Sequence, residues 1–150
     1  MNKQVLIAGS SIGGLAAALG ASRAGWEVRL YERAAAFSEV GAGVQLGPNA
    51  VRHLQAWGLQ KPLQAVAAFP DQLQVRSAHH GDTLATLPLG AEMVARYGAA
   101  YATIHRADLQ GLLHEAVHDR VNVQLNLGCA IAQYGESGGA IQLRLGDGKE

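Results

Sequence analysis

The 150-residue chain contains a single cysteine, Cys129. That excludes an internal disulfide framework and a cysteine zinc site, and Cys129 reads as a small core hydrophobe. A surplus of charge is lacking as well, since 12 Lys and Arg balance 12 Asp and Glu. Without a basic excess there is no electrostatic footprint for nucleic acid, and no block of like charge reads as a tail. Charged residues amount to only 16%, below the usual share of about 25%. With 49% apolar residues, this describes a chain that buries a core, not a disordered one. No apolar run reaches the roughly 18 residues of a membrane-spanning helix. Met1-Asn2-Lys3-Gln4 leads straight into a short strand-like run, without the longer apolar stretch and cleavage site of a secretory leader. The expectation is a soluble, cytoplasmic protein with neither nucleic acid nor membrane as partner. Internal repeats and low-complexity tracts are missing too, and the length suits one domain or part of one.

What is present begins at residue 4. Residues 4–8 form a short, continuous apolar run, the pattern of a buried strand. Gly9-Ser10-Ser11-Ile12-Gly13-Gly14 follows, and then an alanine-rich helical stretch over 12–24 with Ile12, Leu15, Ala16 and Leu19 on one face. Gly25 stands where a helix-ending glycine belongs. Trp26 to Glu32 alternates as a second strand. Strand, helix and strand predict a right-handed parallel βαβ unit.

The loop between the first strand and the helix is a phosphate cradle with one departure. Gly9 permits the sharp turn, and Gly14 lets helix and strand pack closely. Backbone N–H groups at the helix start can then face a pyrophosphate. Ser11 replaces the middle glycine of G-x-G-x-x-G. It adds only a hydroxymethyl group, which can donate to phosphate provided its backbone angles are allowed. Glu32 ends the second strand at about the 20-residue interval expected of a ribose-binding acid. A carboxylate there accepts from both ribose hydroxyls and repels a 2′-phosphate, favouring FAD or NAD over NADP. The motif by itself does not choose between FAD and NAD.

Further along, residues 33–47 read as a loop punctuated by Gly41, Gly43 and Gly47. Pro48 opens a second helix whose face is Val51, Leu54 and Trp57, ended by Gly58. Residues 72–78 and 83–89 read as a hairpin joined at His79-His80-Gly81-Asp82. Residues 99–105 read as a strand, and about 107–119 as a third helix in which Asp108 favours the N-terminus. Residues 121–126, 129–134 and 140–145 are strand-like, with Gly135 to Gly139 separating the last two. Asp147-Gly148 is a hairpin signal with no returning strand after it, so the chain reads as an incomplete domain of a longer protein.

His114-Glu115-Ala116-Val117-His118 matches H-E-x-x-H, in which two histidines one turn apart ligate zinc beside a glutamate base. The helical wheel argues against that use. Leu109, Leu112, Leu113, Ala116 and Val117 form the apolar stripe, which places His114 and His118 on the solvent side, and no third ligand motif follows. No metal site is assigned. His79 and His80 read as solvated turn residues, and His53 as packing locally near Trp57. His105, next to Arg106, either packs or supports a neighbouring loop.

Two more stretches carry a resemblance. Glu39-Val40-Gly41-Ala42-Gly43-Val44-Gln45-Leu46-Gly47-Pro48-Asn49-Ala50 and Tyr101-Ala102-Thr103-Ile104-His105-Arg106-Ala107-Asp108-Leu109 resemble, in that order, segments of the class A FAD-dependent aromatic hydroxylases. Arg96-Tyr97-Gly98 is similar to the salicylate hydroxylase and 3-hydroxybenzoate 6-hydroxylase branch. Taken singly, these glycines could make an ordinary turn and Arg106 an ordinary surface cation. The resemblance implies an α/β, Rossmann-like, glutathione-reductase-like FAD-binding fold with additional antiparallel strands, residues 1–150 being the N-terminal part of that domain. It implies that Gly9, Ser11 and Gly14 line the FAD pyrophosphate. Glu32 would hold the adenosine ribose with Arg33 beside it, and Gly43, Val44 and Gln45 would run along the cofactor. Arg106 would reach FAD from the third helix with Gln110 one turn on. The activity implied is NADH- or NADPH-driven monooxygenation of a hydroxybenzoate-like aromatic ring with O2, with room for a homodimer. No catalytic acid or base is assigned within residues 1–150. The alternatives are another FAD- or NAD-dependent oxidoreductase, a truncated non-catalytic product and, last, a zinc hydrolase.

Overall fold

The computed structural model describes residues 3–37 and 41–146. Glu39 and Val40 of the glycine-rich stretch and the Asp147-Gly148 signal lie outside them. The chain divides into two units, one of residues 1–39 with 113–150 and one of residues 40–112.

The first unit is built on a three-stranded parallel sheet. Strand β1 (Gln4–Ala8) pairs with β2 (Glu27–Tyr31), and β2 pairs with β7 (Val123–Asn126), giving the order β1-β2-β7. Central β2 buries Val28 and Leu30 and exposes Glu27 and Arg29. Helix α1 (Ile12–Arg23) connects β1 to β2 and lies against both. Its buried residues are Leu15, Ala18, Leu19 and Ser22, spaced as one helical stripe. A buried leucine such as Leu15, 0% exposed, contributes about 1.5–3 kcal/mol. Ile12 and Ala16, expected on that stripe, are only half-buried. Ser22 takes a place there because its polarity is satisfied. Its hydroxyl donates to Asn122 Oδ1 at 2.6 Å and accepts from Arg120 Nε at 2.9 Å. Asn122 Nδ2 donates to the carbonyls of Ser22 and Trp26. This network ties the end of α1 to the start of β7.

The hairpin of β8 (Ile131–Ser137) and β9 (Ala140–Leu145) completes this unit. Gly135 to Gly139 does not act as one separator. Only Gly138 and Gly139 turn, with φ of 62° and 77°, the positive pair that a tight two-residue hairpin turn demands. Gly135 stays in the ladder opposite Gln142.

In the second unit, β3 (Gly43–Leu46) pairs antiparallel with β6 (Ala102–His105), and β4 (Gln72–Arg76) pairs antiparallel with β5 (Thr83–Pro88). Strand β3 corrects the reading of 33–47 as loop throughout. Four residues with a glycine at their head carry little strand propensity, and the ladder to β6 overrides it. Helix α2 (Pro48–Ala56) buries Val51 and Leu54 as expected.

Two helices of this unit escaped the pattern. Helix α3 (Gln60–Val66) buries only Leu63, too little for a periodicity. Its Pro62 sits in the first turn, where a missing N–H costs nothing. Helix α4 (Gly90–Tyr97) buries no residue. Its terminal chemistry was the available signal, with Glu92 in the first turn, Arg96 in the last, and Gly98 beyond it in the left-handed region at φ 76°. Helix α5 (Arg106–His118) starts in the second unit and ends in the first. Among the described residues no helix is long and apolar enough to cross a membrane.

Candidate functional site

In the first unit the β1–α1 turn is set by sterics. The N–H of Gly9 donates to the carbonyl of Tyr31 at 2.7 Å, extending the β1–β2 ladder by a residue. Gly9 then turns at φ 92°, a region that costs other residues about 1–2 kcal/mol. A Cβ on Gly14 would stand 1.8 Å from the Gly9 carbonyl oxygen, so no side chain fits there. Ser11 caps α1 with φ −69° and ψ 179°. That is ordinary extended backbone, open to any residue, which is why glycine is dispensable at this point. The Ser11 side chain makes no capping hydrogen bond, and the first turn of α1 holds no acidic residue. The N–H groups of that turn and the positive end of the helix are thus arranged to receive an anion.

Glu32 follows β2 and is held by three donors among the described residues. Ser10 N–H and Ser10 Oγ reach Oε2 at 2.8 and 3.0 Å, and Ala34 N–H reaches Oε1 at 2.9 Å. The Ala34 N–H foremost, then the Ser10 N–H, the Ser10 hydroxyl and the Arg33 charge hold this carboxyl below its ordinary value of 4.5, with burial opposing. A carboxylate offers about four acceptor positions, and Ser10 occupies both on Oε2. An incoming ligand hydroxyl would find an open position on Oε1, whereas a second would have to share Oε2 with Ser10.

Beside this carboxylate is a cavity of about 220 Å³ lined by Ala8, Gly9, Tyr31, Glu32, Arg33 and the run Cys129–Ala130–Ile131. The N–H of Cys129 donates to the Glu32 carbonyl at 2.7 Å, which brings the segment after β7 to the cavity wall. Ser10, Ala34 and the 129–131 segment were missed in the sequence. Ser10 had one usable signal, its place next to the turning glycine. Ala34 reaches Glu32 by a local bond two residues on, whereas the 129–131 segment belongs to the site through long-range backbone pairing, which leaves no local trace.

The remaining predicted residues lie in the second unit. Gly43, Val44 and Gln45 form the body of β3, with Gly43 opposite His105, Val44 opposite Ile104 and Gln45 opposite Thr103. Arg106 opens α5 with an exposed side chain, and Gln110 is half-buried one turn on. The N–H of Arg106 donates to the Ala42 carbonyl at 3.1 Å, and His105 Nε2 donates to the Gly41 carbonyl at 3.0 Å. An added Cβ on Gly41 would stand 3.0 Å from His105 Cε1 and 3.3 Å from Arg106 Cβ. His105 thus clasps the approach to β3, and the start of α5 is pinned beside it. Gly43 is the first residue of β3, in the ladder with β6, rather than part of a loop. Gly9, Ser11, Gly14, Glu32 and Arg33 are grouped within one unit, and Gly43, Val44, Gln45, Arg106 and Gln110 within the other.

The H-E-x-x-H helix behaves as the wheel required in most respects. Leu109, Leu112, Leu113 and Val117 are buried, and His118 is exposed. His114 departs from the solvent side, meeting Phe37 edge-on with ring centres 4.7 Å apart. No group of three or more His, Cys, Asp or Glu among the described residues could hold a metal ion.

The chain has extensive relatives. It is 36% identical over 145 residues to 6-hydroxynicotinate 3-monooxygenase of Pseudomonas fluorescens, covering 97% of this chain and 37% of that one. It is 36% identical over 148 residues to 3-hydroxybenzoate 6-hydroxylase 1 of Aquipseudomonas alcaligenes, covering 99% and 38%. Klebsiella pneumoniae HpxO, solved with FAD and uric acid, matches with a TM-score of 0.83 at 22% identity over 98% of this chain and 36% of that one. No family model matches. The chain spans a little over a third of the length of these curated relatives. Its homologues are aromatic-ring monooxygenases and hydroxylases, as the resemblance implied, and its mixed α/β fold is shared with solved flavoprotein oxygenases.

Proposed function

We propose that the chain is the FAD-binding part of a flavin-dependent, NADH- or NADPH-using monooxygenase that hydroxylates an aromatic ring such as a hydroxybenzoate. In domain terms it is the N-terminal part of a Rossmann-like, glutathione-reductase-like FAD-binding domain. The observation that carries this reading is the glycine-tight β1–α1 turn, with the Glu32 carboxylate fixed beside it and a cavity at its side. An anion-receptive helix start next to a ribose acceptor is the chemistry a dinucleotide requires. The names of the relatives, and a structural neighbour solved with FAD, support FAD and an aromatic substrate over a nicotinamide alone.

In this assignment the N–H groups at the start of α1 and the Ser11 hydroxyl receive the pyrophosphate. Glu32 accepts a ribose hydroxyl, with Arg33 at the cavity edge. Gly43, Val44, Gln45, Arg106 and Gln110 are assigned to FAD by the resemblance. When bound, FAD supplies the redox chemistry, in which NAD(P)H, O2, a proton and the aromatic C–H become NAD(P)⁺, water and the hydroxylated ring. The protein's share is to bind and orient, and no acid or base of this chain takes part.

Titrating the chain with FAD, followed by flavin absorbance and fluorescence, tests the reading. Saturable binding is expected, with Glu32→Ala weaker by about 1.5–3 kcal/mol for a lost charged hydrogen bond. A folded chain that leaves FAD fluorescence unchanged refutes it, and an alanine variant with full affinity refutes the assignment of Glu32. NAD titrated alongside distinguishes another oxidoreductase built on the same cradle.

A further inference from the structure

Ser10 is the residue the assigned site has not yet absorbed. It is 0% exposed, one of two buried polar side chains among the described residues, and two of its groups meet one carboxylate oxygen of Glu32. The last torsion of a glutamate is a broad sp³–sp² rotor with no sharp preference of its own. The direction of a glutamate's lone pairs therefore has to be set by outside donors. Here the backbone ladder supplies the frame. Ala8 is in register with Tyr31, and Gly9 N–H bonds the Tyr31 carbonyl, so the residues that follow, Ser10 and Glu32, are held abreast. Ala34 N–H meets the other oxygen from the far side.

We propose that Ser10 is a positioning residue for nucleotide binding: its N–H and hydroxyl together fix Oε2 of Glu32 against the β1–α1 turn, so that Oε1 is presented to a ribose hydroxyl. The proposal rests on the reading of Glu32 as a ribose acceptor. The hydroxyl is the part that sequence can change, since any residue but proline at this position keeps the N–H. Loss of the hydroxyl leaves the carboxylate with two backbone donors in place of three, less firmly oriented and easier to protonate. A serine that served only packing would do neither.

The test is a double-mutant cycle on the whole chain with FAD as ligand, using Ser10→Ala, Glu32→Gln and the pair, each checked for folding by circular dichroism. Affinity is read from neutral pH down through the carboxylate range. Ser10→Ala is expected to weaken FAD binding by about tenfold and to move the acid limb of the binding profile to higher pH. In the Glu32→Gln background the same change is expected to have almost no effect. An unchanged affinity for Ser10→Ala, or an equal loss in both backgrounds with the acid limb unmoved, overturns the proposal while leaving Glu32 in place. If Glu32→Gln binds FAD as well as the parent, or the parent does not bind it, the reading of Glu32 falls and this proposal with it.

Discussion

At Gly14 an added Cβ would stand 1.8 Å from a carbonyl oxygen of the backbone; at Gly43 it would meet nothing within 4 Å among the described residues. Both glycines are assigned to FAD, yet they relate to the fold in opposite ways. Gly14 is compelled by the chain itself, because α1 can leave β1 at this angle only if nothing projects from that position. Gly43 lies in extended backbone in a ladder with β6, and nothing within its own unit demands glycine. In the first region a motif residue and a folding requirement are one and the same. In the second the described residues impose no steric demand for glycine, and a closely approaching ligand is the reason the proposed function offers.

The sharpest way to break this comparison is Gly14→Ala. One methyl group driven against backbone has no flexible side chain to push aside, so the loss of stability is expected at about 3 kcal/mol or more, the upper part of the overpacking range. Chemical denaturation reads it. A variant as stable as the parent would show that the turn can open, and would put Gly14 in the same class as Gly43.

Acid stability comes next in size and probes Glu32 alone. Its carboxyl is held below 4.5 in the folded chain by the Ala34 and Ser10 donors. A depressed carboxyl stabilises the fold above its unfolded value, and the contribution is lost as pH falls through the folded value. Glu32→Gln is therefore expected to melt below the parent at neutral pH, with the gap closing as pH drops through 4.5 and beyond. A gap that stays constant in acid would remove the charged state of Glu32 from the account of this turn.

The contrast also explains what was legible in the sequence. Gly9, Gly14 and Glu32 could be read directly, because local sterics and one short crossover fix them, and β1, α1 and β2 came with them. Ser11 was readable as a tolerated change, and its extended φ and ψ give the reason. The strand at Gly43 was not readable, since its partner β6 lies far along the chain and its own four residues carry no pattern. Helices α3 and α4 bury one residue and none, so periodicity had nothing to detect. Ser10 and the Cys129–Ile131 wall depend on pairing between segments distant in sequence. The roles of Gly43, Val44, Gln45, Arg106 and Gln110 came from resemblance, and the physics of their own unit supplies the β3–β6 ladder, the bond from Arg106 N–H to the Ala42 carbonyl and the clasp between His105 and Gly41.

That clasp allows the finest cut, between two glycines only two residues apart. At Gly41 the nearest obstacle to a Cβ is a ring carbon of His105 at 3.0 Å, with Ala107 N at 3.3 Å. The imidazole has to give way, and its hydrogen bond to the Gly41 carbonyl weakens. A loss of about 1 kcal/mol is expected for Gly41→Ala, the low end of overpacking. At Gly43 there is room, and the backbone conformation suits any residue. Gly43→Ala is therefore expected to be neutral or more stable by up to about 1 kcal/mol, because alanine restricts the unfolded chain. FAD affinity should move the other way, since a methyl group on this strand stands where the proposed function brings the cofactor. A Gly43→Ala variant that is destabilised as much as Gly41→Ala would mean the fold itself requires glycine at both positions, and the distinction between a steric glycine and a ligand glycine would collapse. A variant that is stable and binds FAD unchanged would instead leave Gly43 with neither role.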